Sequence, residues 1–251
     1  MDIEKIVDEV TRELQSLLRY SCKSGTSGIR PREVPSRLEH SMLNPDVNQE
    51  TILAECANAR RYSVAAVCVA PYYVSIAKEA LRGSGVKVCA AVGFPHGCMS
   101  GLAKLVEVTD CIKNGADELD VAVNILAVKS GDLAEAKKDL EQIMSAACGK
   151  AAVKAVFEHS VYSDIEKKKV LEIAGACNVD YVKIQNALSG KGADVMDIQY
   201  VKGILGNNVK IKIDGGVKTM SKALELLNAG AERIGLTATV AIAKEAEAIG
   251  D

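Results

Sequence analysis

The chain has no tryptophan and only two phenylalanines, and aromatic residues make up 4% of its 251 positions. That scarcity argues against an aromatic-rich β-sandwich and leaves Val, Ile, Leu and Ala to build the core, as in a parallel sheet buried on both faces. Neither charge sign is in excess: 31 Lys and Arg stand against 33 Asp and Glu, a net charge of -2. Without a basic field to meet phosphates, a general nucleic-acid binder is disfavoured, and so is an acidic disordered chain. No apolar run is long enough to cross a membrane, and the charged N-terminus lacks the apolar segment of a signal peptide. None of the eight cysteines forms a C-x-x-C pair; with Cys68 and Cys89 inside apolar runs, they read as free, small core residues of a cytoplasmic protein, not as a disulfide framework. Five prolines beside 20 glycines rule out a low-complexity chain.

What is present is alternation. Short apolar runs occur at 36–43, 64–70, 86–94, 117–124, 151–158, 180–185, 209–216 and 232–236. Stretches with helical spacing separate them, for example 48–62, 101–115, 164–178 and 220–230, with Asp164 and Thr219 placed as helix N-caps. Strand and helix repeated about eight times predict an α/β fold, a (β/α)8 TIM barrel, since a barrel runs to roughly 250 residues as one domain. The competing open doubly wound sheet would show a glycine-rich turn after its first strand, and none follows residues 36–43.

Residues 1–35 stand apart from the barrel, which is expected over 36–251. Ile3, Ile6, Val7, Val10, Leu14, Leu17 and Leu18 repeat at helical spacing, so residues 2–19 read as an amphipathic helix. Residues 21–35, rich in Ser, Gly and Pro, read as a linker or extended surface loop.

In most strands one parity is apolar and helix-facing (Leu119, Val121, Val123; Val209, Ile211, Ile213), while the other is charged or polar. The second set comprises Arg37, Glu39 and Ser41; Glu118, Asp120 and Asn124; Lys154 and Glu158; Tyr181, Lys183 and Gln185; Lys210, Lys212 and Asp214. These residues are expected in the lumen, where charges cost several kcal/mol unless paired, roughly as for any buried ion. They form either a structural ion network or an active site. Lys183 and Lys212 fall mid-strand in consecutive strands. Burial and a neighbouring cation would each disfavour an ammonium, leaving one lysine partly neutral and nucleophilic, with Asp120 to pair the other and move protons. After the last two strands, 213–219 and 233–239 carry Gly215, Gly216 and Gly235, where barrels often bind phosphate on backbone N–H groups.

The blocks at 64–74, 86–95, 115–125, 180–183, 215–219 and 229–235 fall in order and resemble the deoxyribose-phosphate aldolases, which are class I, imine-forming barrel enzymes. The resemblance implies that Lys183 forms the imine, that Asp120 and Lys212 relay protons, and that Cys68 lines the site. It implies cleavage of 2-deoxy-D-ribose 5-phosphate to acetaldehyde and D-glyceraldehyde 3-phosphate with no metal or organic cofactor, and a homodimer. It also assigns substrate contacts to Glu39, Ser41, Gly215, Gly216, Lys218, Gly235 and Thr237.

This chain departs from the family pattern in several places. Ile184, Gln185, Asn186 and Ala187 stand where the family has Thr-Ser-Thr-Gly, and Leu236, Thr237 and Ala238 replace Ala-Ser-Ser. Glu39 and Ser41 replace Asp and Thr, Lys218 replaces Arg, and Asp214 replaces a small residue, bringing a carboxylate toward the expected phosphate. An aldolase of altered specificity, or a non-catalytic member acting as a protein-binding factor, are the alternative readings. His40, His96 and His159 lack metal-ligand spacing and read as loop or strand-end residues. The helix at 2–19 has two readings: a cap on the barrel, or a segment that resembles the encapsulation peptides of bacterial microcompartment enzymes and binds a shell protein through its apolar stripe.

Overall fold

A computed structural model describes residues 28–186, 192 and 194–249 of the chain; the amphipathic segment 2–19 lies outside the described residues. Eight parallel strands close into a barrel in sequence order. They are β1 Leu38–Met42, β2 Ala66–Val69, β3 Lys87–Val92, β4 Glu118–Ala122, β5 Ala152–Glu158, β6 Tyr181–Gln185, β7 Lys210–Asp214 and β8 Arg233–Leu236. The α-helices are α1 Gln49–Arg61, α2 Val74–Ala80, α3 Gly101–Lys113, α4 Ile125–Lys129, α5 Leu133–Ala147, α6 Asp164–Ala176, α7 Val195–Leu205, α8 Met220–Ala229 and α9 Thr239–Ile249. Each of the eight expected apolar runs contains one strand, and the observed strands are shorter because the run ends lie in the connecting turns.

Side-chain oxygens start most helices by accepting from otherwise unpaired backbone N–H groups. Asn48, Ser100, Asp132 and Thr219 do this for α1, α3, α5 and α8. Thr219 is thus the cap expected from the sequence. Asp164 is not: Ser163 caps α6 in a reciprocal pair with Glu166, and Asp164 is the first helical residue, where its charge favours the positive end of the helix dipole. Gly230, at φ 107°, ends α8 in the left-handed region that suits glycine.

The core lies between the strands and the helices. Val67, Val88, Leu119, Val153, Val182, Ile211 and Ile234 of the outward parity are buried in one apolar cluster with helix residues such as Ile52, Val108 and Ile143. Burying such side chains stabilises the fold by about 1.5–3 kcal/mol each. The lumen is different. Its only buried apolar cluster among the described residues is Cys68, Cys89 and Ala91. Charged side chains share the rest with Ala66, Val156, Tyr181 and Gln185.

Residues 28–37 pack against the barrel. Val34 is fully buried, the Ile29 N–H donates to Asn228 Oδ1 at 3.0 Å, and two 3-10 turns, Pro31–Glu33 and Pro35–Arg37, lie against α9. Arg37, expected in the lumen, instead ends the second turn before β1 begins and pairs with Glu232, partly exposed. No helix of the described residues is long and apolar enough to cross a membrane. Cys56, Cys68, Cys89, Cys98, Cys111, Cys148 and Cys177 are all free thiols.

Candidate active site

Register places the chemistry. Lys183 of β6 and Lys212 of β7 are direct partners across neighbouring strands, and Asp120 of β4 pairs in register with Lys154 of β5. Each points inward because it occupies the parity opposite the apolar, helix-facing one. Glu39, Asp120, Lys154, Lys183 and Lys212 are all fully buried.

Four cations and four carboxylates meet in this lumen. Lys154 lies 2.5 Å from Glu118, 3.2 Å from Glu39 and 3.2 Å from Asp120. Lys212 lies 2.5 Å from Glu39 and 2.7 Å from Asp120 Oδ2. Lys183 lies 2.9 Å from that same Asp120 oxygen and 2.6 Å from Asp214. Arg233 of β8 closes the network at its lower end, 3.3 Å from both Glu39 and Glu118. Arg233 was not among the sequence candidates. The register pairing of Lys212 with Arg233 is what brings it in.

These pairings set the protonation states. Burial raises the Asp120 carboxyl, but Lys183, Lys212 and Lys154 outweigh it and hold Asp120 well below the usual carboxylate range. Glu39 is likewise lowered, with Lys154 and Lys212 overcoming burial. Burial pulls the Lys183 ammonium down, yet Asp120 and Asp214 together hold it above the ordinary lysine value, and Lys212 opposes them only in part. The expectation of a partly neutral lysine is therefore not met in the resting site. It counted the neighbouring cation but not a second carboxylate. The Asp214 carboxylate is in turn held low by Lys183 and Lys212 against burial. Its charge is offset by Lys183, while Lys218 is exposed.

The other sequence candidates sit around this centre. Cys68 Sγ approaches Asp120 Oδ2 at 3.7 Å, and Cys68 is the register partner of Ser41. Ser41 Oγ is buried with no hydrogen-bond partner among the described residues, a group that a bound hydroxyl would satisfy. The Phe94 ring, in the turn after β3, lies 5.9 Å from Lys183 Nζ and forms one wall. Gly215, Gly216, Lys218 and Thr237 are exposed beyond the C-terminal ends of β7 and β8, the face where barrel enzymes bind substrate. Gly216, at φ 77°, passes so close to Gly192 that a Cβ would meet its Cα at 2.5 Å. At Gly235 a Cβ would meet the Asp214 carboxyl carbon and Lys212 Cε, both at 3.0 Å, so any side chain here would press on both groups.

Several inward assignments are corrected. Asn124 lies past the end of β4 and caps α4, accepting from the Ala127 N–H. Lys210 is exposed at the start of β7, 5.3 Å from the Tyr181 ring centre. Glu158 and Gln185 do face each other, Gln185 donating to Glu158 at 3.3 Å. Asn186 donates to Asp197, and Ala187 lies outside the described residues. His40 is mid-strand and buried, not at a strand end, between Thr239 at 2.8 Å and Glu55 at 3.0 Å; His159 pairs with Asp197 at 2.5 Å.

Ligand-type atoms of Cys68, Cys89 and Asp120 lie within 4.8 Å of one another, as do those of Glu39, Cys89 and Glu118. Each carboxylate in these groups is engaged by lysine or arginine, and burial pushes the Cys89 thiol well above its ordinary value. The donors are thus committed to internal cations and suit the lysine chemistry better than metal binding. A cavity of about 450 Å³ lined by Asp117, Met144, Gly149 and Asp180 lies at the opposite end of the strands, away from Lys183.

No family model matches the chain. It is 36% identical over 215 residues to a deoxyribose-phosphate aldolase of Clostridium tetani, covering 86% of this chain and all of that one. It is 38% identical over 213 residues to deoxyribose-phosphate aldolase 1 of Bacillus licheniformis, covering 85% and 96%. Among solved structures, the deoxyribose phosphate aldolase of Aeropyrum pernix superposes with a TM-score of 0.79 at 24% identity, over 87% of this chain and 93% of that one, a likeness of fold.

Proposed function

This chain belongs to the deoxyribose-phosphate aldolase family, and from that premise we propose that it reversibly cleaves 2-deoxy-D-ribose 5-phosphate to acetaldehyde and D-glyceraldehyde 3-phosphate through an imine on Lys183. The observation that carries the site assignment is the fully buried Lys183, joined through one Asp120 oxygen to Lys212. A lysine next to a shared carboxylate and a second lysine has the parts that imine chemistry needs: a nucleophile, a proton acceptor and a proton donor.

The steps follow from these groups. Once neutral, Lys183 adds to the aldehyde carbon of the open-chain sugar, and loss of water leaves an iminium. The iminium accepts the electron pair of the bond between its α and β carbons as that bond breaks. The β-hydroxyl gives up its proton to the Asp120 relay and becomes the aldehyde of glyceraldehyde 3-phosphate. The enamine left on Lys183 takes a proton at its terminal carbon from the same relay, and water releases acetaldehyde. Ser41 Oγ supports this reading as a spare partner for a sugar hydroxyl. Glu39 acts on Lys212 and not on substrate, since both its oxygens are engaged by lysine or arginine. Gly215, Gly216, Gly235, Lys218 and Thr237 would receive the phosphate on backbone N–H groups and one flexible ammonium. Borohydride added with substrate should trap an adduct on Lys183; an adduct that persists in Lys183→Ala would overturn the assignment.

We further propose a cytoplasmic homodimer in which residues 36–251 form the catalytic domain, with residues 28–35 packed against it. The spacing of Ile3, Ile6, Val10 and Leu14 supports residues 2–19 as a docking helix for a microcompartment shell protein, with enclosure of acetaldehyde as its use. Deleting residues 1–20 should then leave turnover intact and abolish shell association; loss of the fold would count against it.

A further inference from the structure

Of the four carboxylates in the ion network, Glu39, Glu118, Asp120 and Asp214, only Asp214 is ion-paired, among the described residues, with a single cation. Glu39 serves Lys154, Lys212 and Arg233; Glu118 serves Lys154 and Arg233; Asp120 serves three lysines. Asp214 is ion-paired with Lys183 at 2.6 Å, closer than Asp120 is at 2.9 Å. It ends β7 immediately before the glycine pair, and it reaches Lys183 across the space that Gly235 of β8 leaves open.

We propose that Asp214 is a second counter-ion of Lys183 that holds the resting lysine in its protonated, non-nucleophilic form and thereby sets the pH at which the site begins to react with aldehydes. The proposal rests on the reading of Lys183 as the imine lysine. The charge count carries it. Lys154, Lys183, Lys212 and Arg233 balance Glu39, Glu118, Asp120 and Asp214. Taking the proton from Lys183 would leave four carboxylates, three buried and Asp214 half-buried, against three cations, an unfavourable excess in a region of low dielectric. With Asp214 neutral, the same deprotonation leaves three against three.

Other groups around Lys183 do not replace Asp214 in this role. Asp120 of β4 is shared with Lys212 and Lys154, and Lys212 of β7 pushes in the opposite direction. Cys68 of β2 and the Phe94 ring complete the surroundings. On β6, Gln185 is the register partner of Asp214 and donates instead to Glu158 of β5. Lys183 loses a proton to solvent, the neutral amine adds to the carbonyl carbon, and the carbinolamine takes a proton back on its hydroxyl, which departs as water. The resulting iminium restores the positive charge between Asp120 and Asp214. Asp214 therefore opposes the first step while stabilising the intermediate.

The test compares the full-length wild type with Asp214→Asn, using acetaldehyde with cyanoborohydride as the trapping probe and deoxyribose 5-phosphate as substrate. In the variant, the pH midpoint for trapping on Lys183 and the acid limb of kcat/KM should both move down by about one unit or more, so trapping at about pH 7 rises roughly tenfold. A merely structural role would not move the midpoint. Asp214→Ser provides the same readout if the Asn variant does not fold. An unshifted midpoint, with wild type trapping normally on Lys183, would overturn the proposal alone. A wild type that traps nothing at any pH would overturn the imine reading and the proposal with it.

Discussion

Lys183 and Lys212 are register partners on β6 and β7, yet both are bound to the same oxygen of Asp120, at 2.9 and 2.7 Å. One carboxylate oxygen thus bridges the proposed nucleophile to the proposed proton donor. Replacing Asp120 by the isosteric Asn removes the charge and half the relay while keeping the shape. We expect kcat to fall by roughly 10²–10⁴, the usual range for general acid–base groups, with a smaller change in KM. Steady-state kinetics on deoxyribose 5-phosphate would check this, and a variant with full kcat would remove Asp120 from the mechanism.

Lys154 has a different role. It lies in the middle of the lumen among Glu39, Glu118 and Asp120, while Lys183 sits at the substrate-facing end with Asp214. Lys154→Met would leave three carboxylates sharing the remaining cations. Breaking a buried pair from one side typically costs about 3–5 kcal/mol. Chemical denaturation should show a loss of that order, and a loss below about 1 kcal/mol would mean that Arg233 and Lys212 take over the pairing.

The eight strands and most of the lumen were legible in the sequence because period-two alternation separates an apolar parity from a charged one. The errors have physical causes. Arg37 and Asn124 were placed inward by carrying that alternation past the strand ends, where the chain turns and side-chain direction no longer follows it. Arg233 was missed because its strand is only four residues long and its inward neighbour, Gly235, carries no side chain to mark the parity. The contact between Asp214 and Lys183 depends on register: Asp214 lies opposite Gln185, two residues beyond Lys183, and reaches back over Gly235. No spacing within either strand reveals that pairing, or the second carboxylate that favours the ammonium form of Lys183.

The ion network should also shape stability against pH. Glu39, Asp120 and Asp214 are lowered in the folded chain, so their contribution is present above the ordinary carboxylate range and is lost as pH falls through their lowered values. Lys183 and Lys212 are raised, so their contribution is complete below the ordinary lysine value and is lost only at pH above it. The melting temperature should therefore stay nearly flat from about pH 7 to about pH 9, dip slightly below about pH 6.5 because burial holds the His40 imidazole low in the fold, and fall further below about pH 4. A steep decline between about pH 5 and pH 7 would mean that the carboxylates are not held low as the pairings require.

The phosphate end of the site can be separated from the chemistry through Gly216. Its φ of 77° and its 2.5 Å clearance to the Gly192 backbone both exclude a side chain, so Gly216→Ala must displace the turn after β7. Lys183, Asp120 and Lys212 are anchored in strands and should stay in place. We expect KM for deoxyribose 5-phosphate to rise about tenfold, corresponding to roughly 1.4 kcal/mol of binding, with kcat changed far less. Unphosphorylated 2-deoxyribose makes no use of the turn, so its kcat/KM should hardly move. If both substrates lose activity equally, the turn supports the barrel as a whole and the phosphate assignment of Gly215 and Gly216 falls.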